Sequence, residues 1–160
     1  MNKNSLVKHL KTLRVILKYC PAKTDEEIAI LVNEYYAELQ KYSDYVFDNA
    51  VLDLKRNESD FPTLSTLLYY CGKFWISEID RLNKNWKELK DDIFTENKPT
   101  EDEFKKLANE WRKLGVPDQA DFVMKFYKEN KDYHWLPPDS EKLKEYKKRL
   151  EKVTEKLEVK

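Results

Sequence analysis

The side chains that most often carry chemistry are sparse in this chain. His9 and His134 are the only histidines, Cys20 and Cys71 the only cysteines, and Gly72 and Gly115 the only glycines. A catalytic triad or a metal centre built on either histidine would have to recruit partners from distant stretches, because no Cys/His cluster stands at ligand spacing. Two glycines so far apart cannot form the loop that wraps nucleotide phosphates, and neither GxSxG nor HExxH occurs. Carboxylates abound. Groups such as Asp25-Glu26-Glu27 and Asp91-Asp92 read as helix-start or solvated charges, which the helix dipole accounts for. The expectation is a protein that is not an enzyme, holds no cofactor or metal, and works by binding another protein.

The candidate binding residues lie toward the C-terminal end. Tyr133-His134-Trp135 form an aromatic loop ahead of Pro137-Pro138. A loop aromatic such as Trp135 can anchor an interface, and it can equally plug the end of a bundle. Lys144, Lys147, Lys148, Arg149 and Lys152 make the last helix locally basic. Glu141, Glu145, Glu151 and Glu155 interleave with them at spacings that allow i,i+4 pairs, which reads as a salt-bridged solvated face. Leu143, Tyr146, Leu150, Val153 and Leu157 repeat as the seam of a helix pair. That seam can dock on another helix of the chain, pair with a second copy, or hold a partner. The candidate partner-binding residues are therefore Tyr133, Trp135, Lys147, Lys148, Leu150 and Leu157.

These residues need a scaffold, and composition bounds it. The 160 residues carry 30 Lys plus Arg and 30 Asp plus Glu, a formal net charge of zero. A chain of this length can bury roughly 70% of its unfolded surface. Zero net charge argues against a dedicated DNA-coating protein, so sequence-specific nucleic-acid binding is not expected. Charged residues at 38% with two glycines suit charged helical faces and suit strands poorly. Lys8, Lys11 and Arg14 break any signal-like apolar run at the start. No stretch approaches the ~18 apolar residues of a membrane span. A cytoplasmic protein with two reduced, buried thiols is expected.

The elements follow from apolar spacing and caps. Leu6, Leu10, Leu13 and Leu17 form one helical stripe, with Pro21 as its stop. Thr24 with Glu27 is a capping box opening a helix through Ile28, Val32, Tyr35 and Leu39. Ser43 or Asp44 can cap a third helix with Val46, Phe47, Ala50, Val51 and Leu54. After Phe61-Pro62, Thr63 can cap the next helix, whose apolar positions recur every three or four residues, among them Leu68, Cys71, Trp75, Leu82, Trp86 and Ile93, predicting one long helix or two nearly continuous ones over 63–95. Thr100 with Glu103 is a second capping box, and Phe104, Leu107, Trp111 and Leu114 follow. Gly115 is placed as a C-terminal cap and Pro117 as a first helical residue, ahead of Phe122, Val123, Phe126 and Tyr127. A last helix starts near Ser140. The predicted fold is all-α, a bundle of seven or eight helices. A bundle over 1–82 and a C-terminal helical region over 83–160 are joined by the long helix.

Residues Ile16 to Leu67 resemble the N-terminal domain of the phage replicative-helicase loader/inhibitor family. The resemblance rests on Lys18-Tyr19-Cys20-Pro21 after a short helix, and on the acidic capped helix Thr24–Leu39 with Tyr35 and Tyr36. It continues through Tyr42-Ser43-Asp44-Tyr45-Val46 to Ala50, and closes with Phe61-Pro62-Thr63-Leu64. It implies a phage protein that binds a bacterial-type hexameric replicative helicase, holds it inactive and delivers it to an origin-bound initiator, with no ATPase of its own. Two alternatives stand beside it. One is a phage inhibitor of a host defence nuclease, of the anti-CRISPR kind. The other is a homodimeric helical adaptor whose last helix self-pairs through Leu143, Leu150 and Leu157.

Overall fold

Side-chain caps decide where most of the helices begin. The structure is a computed structural model and describes residues 1–133 and Glu141. Among the described residues it is all-helical, with α1 (Lys3–Ile16), α2 (Asp25–Leu39), α3 (Asp44–Asn57), α4 (Leu64–Asp92), α5 (Glu101–Lys113) and α6 (Pro117–Asn130). The helix expected from about Ser140 lies outside the described residues, so six of the seven or eight expected helices are seen. Thr24, Ser43, Thr63 and Thr100 each accept the backbone N–H three residues on, a cap that contributes about 1 kcal/mol. Asn2 caps α1 in the same manner, through the amide of Asn4.

Both expected capping boxes are complete. The Glu27 carboxylate accepts the amides of Lys23 and Thr24, at 2.5 and 3.1 Å. Glu103 accepts the Thr100 amide at 2.7 Å and its hydroxyl at 2.9 Å. These bonds, the backbone ones foremost, hold both carboxyls below the usual glutamate range. A lowered folded-state value means that the stabilisation is present above the unfolded value of about 4.3. It is lost as pH falls through the folded one. The double variant Glu27→Gln, Glu103→Gln is expected to flatten the acid limb of melting temperature against pH. An acid limb unchanged in that variant would remove the boxes as its cause.

α1 ends five residues earlier than its proline. Leu17 is already extended, with φ −106° and ψ 156°. The Lys18 amide donates to the Ser59 carbonyl at 2.9 Å, and the Phe61 amide donates to the Lys18 carbonyl at 2.7 Å. This isolated bridge between Lys18 and Asp60 draws the backbone out of the helix before Pro21 is reached. α4 runs unbroken through Gly72 for 29 residues, about 44 Å. At the other end of the fold Gly115 adopts φ 87° and closes α5, where a side chain would strain the backbone. Pro117 then opens α6 as expected.

Packing pairs α1 with α2, α3 with α4 and α5 with α6; α4 also meets α2 and α5. The buried side chains form one cluster. Leu6, Leu10, Leu13, Ile28, Val32, Phe47, Val51 and Leu54 are buried in the first part. Leu82, Ile93, Phe104, Leu107, Trp111 and Val123 fill the second. Each fully buried residue of this kind contributes about 1.5–3 kcal/mol. Trp111 is core, as its spacing implied, while Trp75 and Trp86 are half-buried against it. The Trp111 indole N–H is buried with no hydrogen-bond partner among the described residues. Phe122, expected in the stripe of α6, is instead 51% exposed. Ala120 and Val123 take the inner face, because a helix shows only one side to α5.

Candidate functional site

Among the described residues no three His, Cys, Asp or Glu side chains converge as a metal site. No described helix is long and apolar enough to cross a membrane. A cleft of about 380 Å³ runs between α4 and α5 past Arg81, Glu88, Asp92, Glu103 and Glu110. Its central groups are already committed. Arg81 bonds Glu78 at 2.8 Å, one turn back on α4, and Glu110 of α5 at 2.9 Å. Hydrogen bonding to Glu78, then to Glu110, pushes the Arg81 pKa above its already high value. Glu103 is held by its cap. The cleft thus contains a tie between helices.

The two thiols are free, and they differ. Cys71 is fully buried, and burial pushes its thiol up to about 12. Cys20 is half-buried, not buried as expected, because it sits in the loop after the bridge; its thiol donates to the Ala22 carbonyl at 3.1 Å. Since the thiolate is the reactive form, an aromatic disulfide reagent near pH 8 is expected to label Cys20 and leave Cys71 intact until denaturant is added. Labelling of both at one rate would contradict this burial. The His9 Nε2 pairs with Asp48 at 2.7 Å and its ring packs edge-on against Phe47 at 5.4 Å.

Of the candidate partner-binding residues, Tyr133 is described; Trp135, Lys147, Lys148, Leu150 and Leu157 lie outside the described residues. Tyr133 is 48% exposed, and its ring meets Phe94 edge-on at 5.0 Å. Phe94 in turn meets Phe126 at 6.2 Å, Phe126 meets Trp86 at 5.0 Å, and Trp86 meets Phe122 at 5.7 Å. The Lys98 ammonium donates to the carbonyls of Lys131 and Tyr133, fixing the chain where it leaves α6. Tyr133 is thus the outer end of an aromatic run that reaches the core. Phe94 and Phe122 were not legible as part of it. Phe94 falls just past the end of the α4 stripe, and the i,i+4 spacing of Phe122 and Phe126 is the one signal that could have suggested it.

No family model matches this chain, and no curated protein or solved structure matches it significantly.

Proposed function

We propose that this is a phage-type protein that binds and regulates a hexameric replicative DNA helicase, inhibiting or loading it by protein–protein contact. In this reading it works in the host cytoplasm and has no ATPase of its own. Its finer organisation is a bundle over 1–82 and a C-terminal region over 83–160, seven or eight helices in all, with α4 passing from one to the other.

The observation that carries the reading is the meeting of two short elements of the resemblance. Lys18, in Lys18-Tyr19-Cys20-Pro21, exchanges backbone hydrogen bonds with Ser59 and with Phe61 of Phe61-Pro62-Thr63. They are some 40 residues apart, yet they form one corner, from which Thr63 caps α4. Capped, packed helices also suit a regulator without chemistry, since a rigid surface loses little entropy when a partner lands on it.

The test is a purified bacterial-type hexameric helicase mixed with the full chain. Co-elution and a changed ATPase rate are the expected result. No co-elution with an unaltered rate would overturn the reading. Capture of a defence nuclease in its place would favour the nuclease-inhibitor alternative.

A further inference from the structure

The aromatic run that ends at Tyr133 is open to water at both ends. Phe122 is 51% exposed, Tyr133 48% and Phe94 38%, with Phe126 and Trp86 half-buried between them. Single exposed apolar residues are ordinary. Here the rings touch in series, from Tyr133 through Phe94, Phe126 and Trp86 to Phe122, with centroids 5.0–6.2 Å apart. A contiguous apolar face of this kind is a docking surface.

The chain itself leads to an occupant. Lys98 donates to the carbonyls of Lys131 and Tyr133, and the Tyr133 amide donates to the Asn130 carbonyl at 3.0 Å. The main chain is therefore held at the edge of the face, and the residues that follow start from there. Val15, Ile16 and Tyr19 also face water, but the chain on either side of them returns to the core, at Leu13 and Ala22.

Beyond Tyr133 the sequence supplies an apolar stripe of matching length. Leu143, Tyr146, Leu150, Val153 and Leu157 recur at gaps of three and four, the pattern of one helical face. From Leu143 to Leu157 a helix measures about 21 Å, the same as α6. Pro137-Pro138 separate that stripe from α6. Residues 134–142, fully extended, reach about 30 Å, ample for a reversal between helices packed roughly 8–10 Å apart.

Charge does not choose the occupant, because lysines and glutamates interleave along the segment. Proximity decides instead. A segment tethered beside its site meets it at an effective concentration on the order of millimolar, above that of a second copy or a partner in dilute solution. A helix of this length is marginal alone in water, so it gains from a face to lie on.

We propose that residues 140–157 fold back as a helix antiparallel to α6 and seat the stripe from Leu143 to Leu157 on Phe94, Trp86 and Phe122. Leu150 and Leu157 then serve the fold of their own chain. A partner must displace the segment or bind elsewhere. The proposal stands without the helicase reading.

Hydrogen exchange of the full chain, read by mass spectrometry, tests it. Residues 143–157 are expected to exchange about tenfold or more slowly than an unfolded chain, a protection that a free helix of this length does not hold. Dilution is expected to leave that protection unchanged. Leu150→Asp and Phe122→Asp, one on each side of the contact, are each expected to abolish it while α1–α3 stay protected. Absence of protection in the unaltered chain, or protection kept in either variant, would overturn the proposal. So would protection that fades on dilution alongside a dimer mass at high concentration, which would assign the face to a second copy. Protection that arises only when a purified hexameric helicase is added would overturn it too, and would assign the segment to that partner.

Discussion

Phe104→Ala is expected to destabilise the protein by about 3–5 kcal/mol, the cost of a large cavity in a packed core. Phe104 is fully buried. Its ring lies 5.0 Å from Tyr127 and 6.5 Å from both Phe126 and Trp86, so three helices meet on it. The lost transfer energy of the ring and the lost aromatic contacts act in one direction. For a chain of this size the melting temperature should fall by roughly 10 °C. Thermal and urea unfolding of the variant measure both quantities. A loss below about 1.5 kcal/mol would mean that α6 closes over the gap, and that the aromatic run is looser than these distances imply.

Phe47→Ala is the companion experiment in the first part of the fold, with an expected loss of the same size, about 3–5 kcal/mol. Phe47 is fully buried at the junction of α1 and α3, with the His9 ring edge-on to it. The informative quantity is the shape of the melt. The buried residues form one cluster, α4 runs unbroken through it, and Arg81 ties α4 to α5. Each variant is therefore expected to lower a single transition for the whole chain. A melt that splits in two, with Phe47→Ala moving one step and Phe104→Ala the other, would show that the two parts fold separately. The halves would then be joined by α4 without being coupled by it.

The legible part of this fold is the part governed by near neighbours. Thr24, Ser43, Thr63 and Thr100 could be read as caps because each bond spans three residues. Gly115 and Pro117 could be placed because their backbone preferences act at their own positions. Leu6, Leu10 and Leu13 could be assigned to the core because helical period alone puts them on one face. The end of α1 could not be read, since its cause is Ser59 and Phe61, more than 40 residues away. Phe122 was misplaced for a related reason: periodicity marks an apolar stripe but not how much of it a neighbour covers.

The site divides along the same line. Sequence pointed to Tyr133 as an aromatic outside a helical stripe, and the structure gives it a half-exposed place against Phe94. The tie from Arg81 to Glu110 had no signature, because charged residues at helical spacing occur throughout the chain and nothing local selects that pair. The exposure of Val15, Ile16 and Tyr19 was equally hidden. In the sequence, Val15-Ile16-Leu17 is an apolar run beside the core stripe, and only the packing of α2 and α3 around α1 leaves Val15 and Ile16 outside.

By itself the sequence determined the all-helical class, the cap positions and most of the buried stripes, because these depend on hydrogen bonds and periodicities a few residues long. Tertiary structure decided where α1 stops, which apolar side chains stay in water, and which charges meet across helices. Those outcomes are fixed by contacts between segments distant in the chain, whose free energy no local pattern carries.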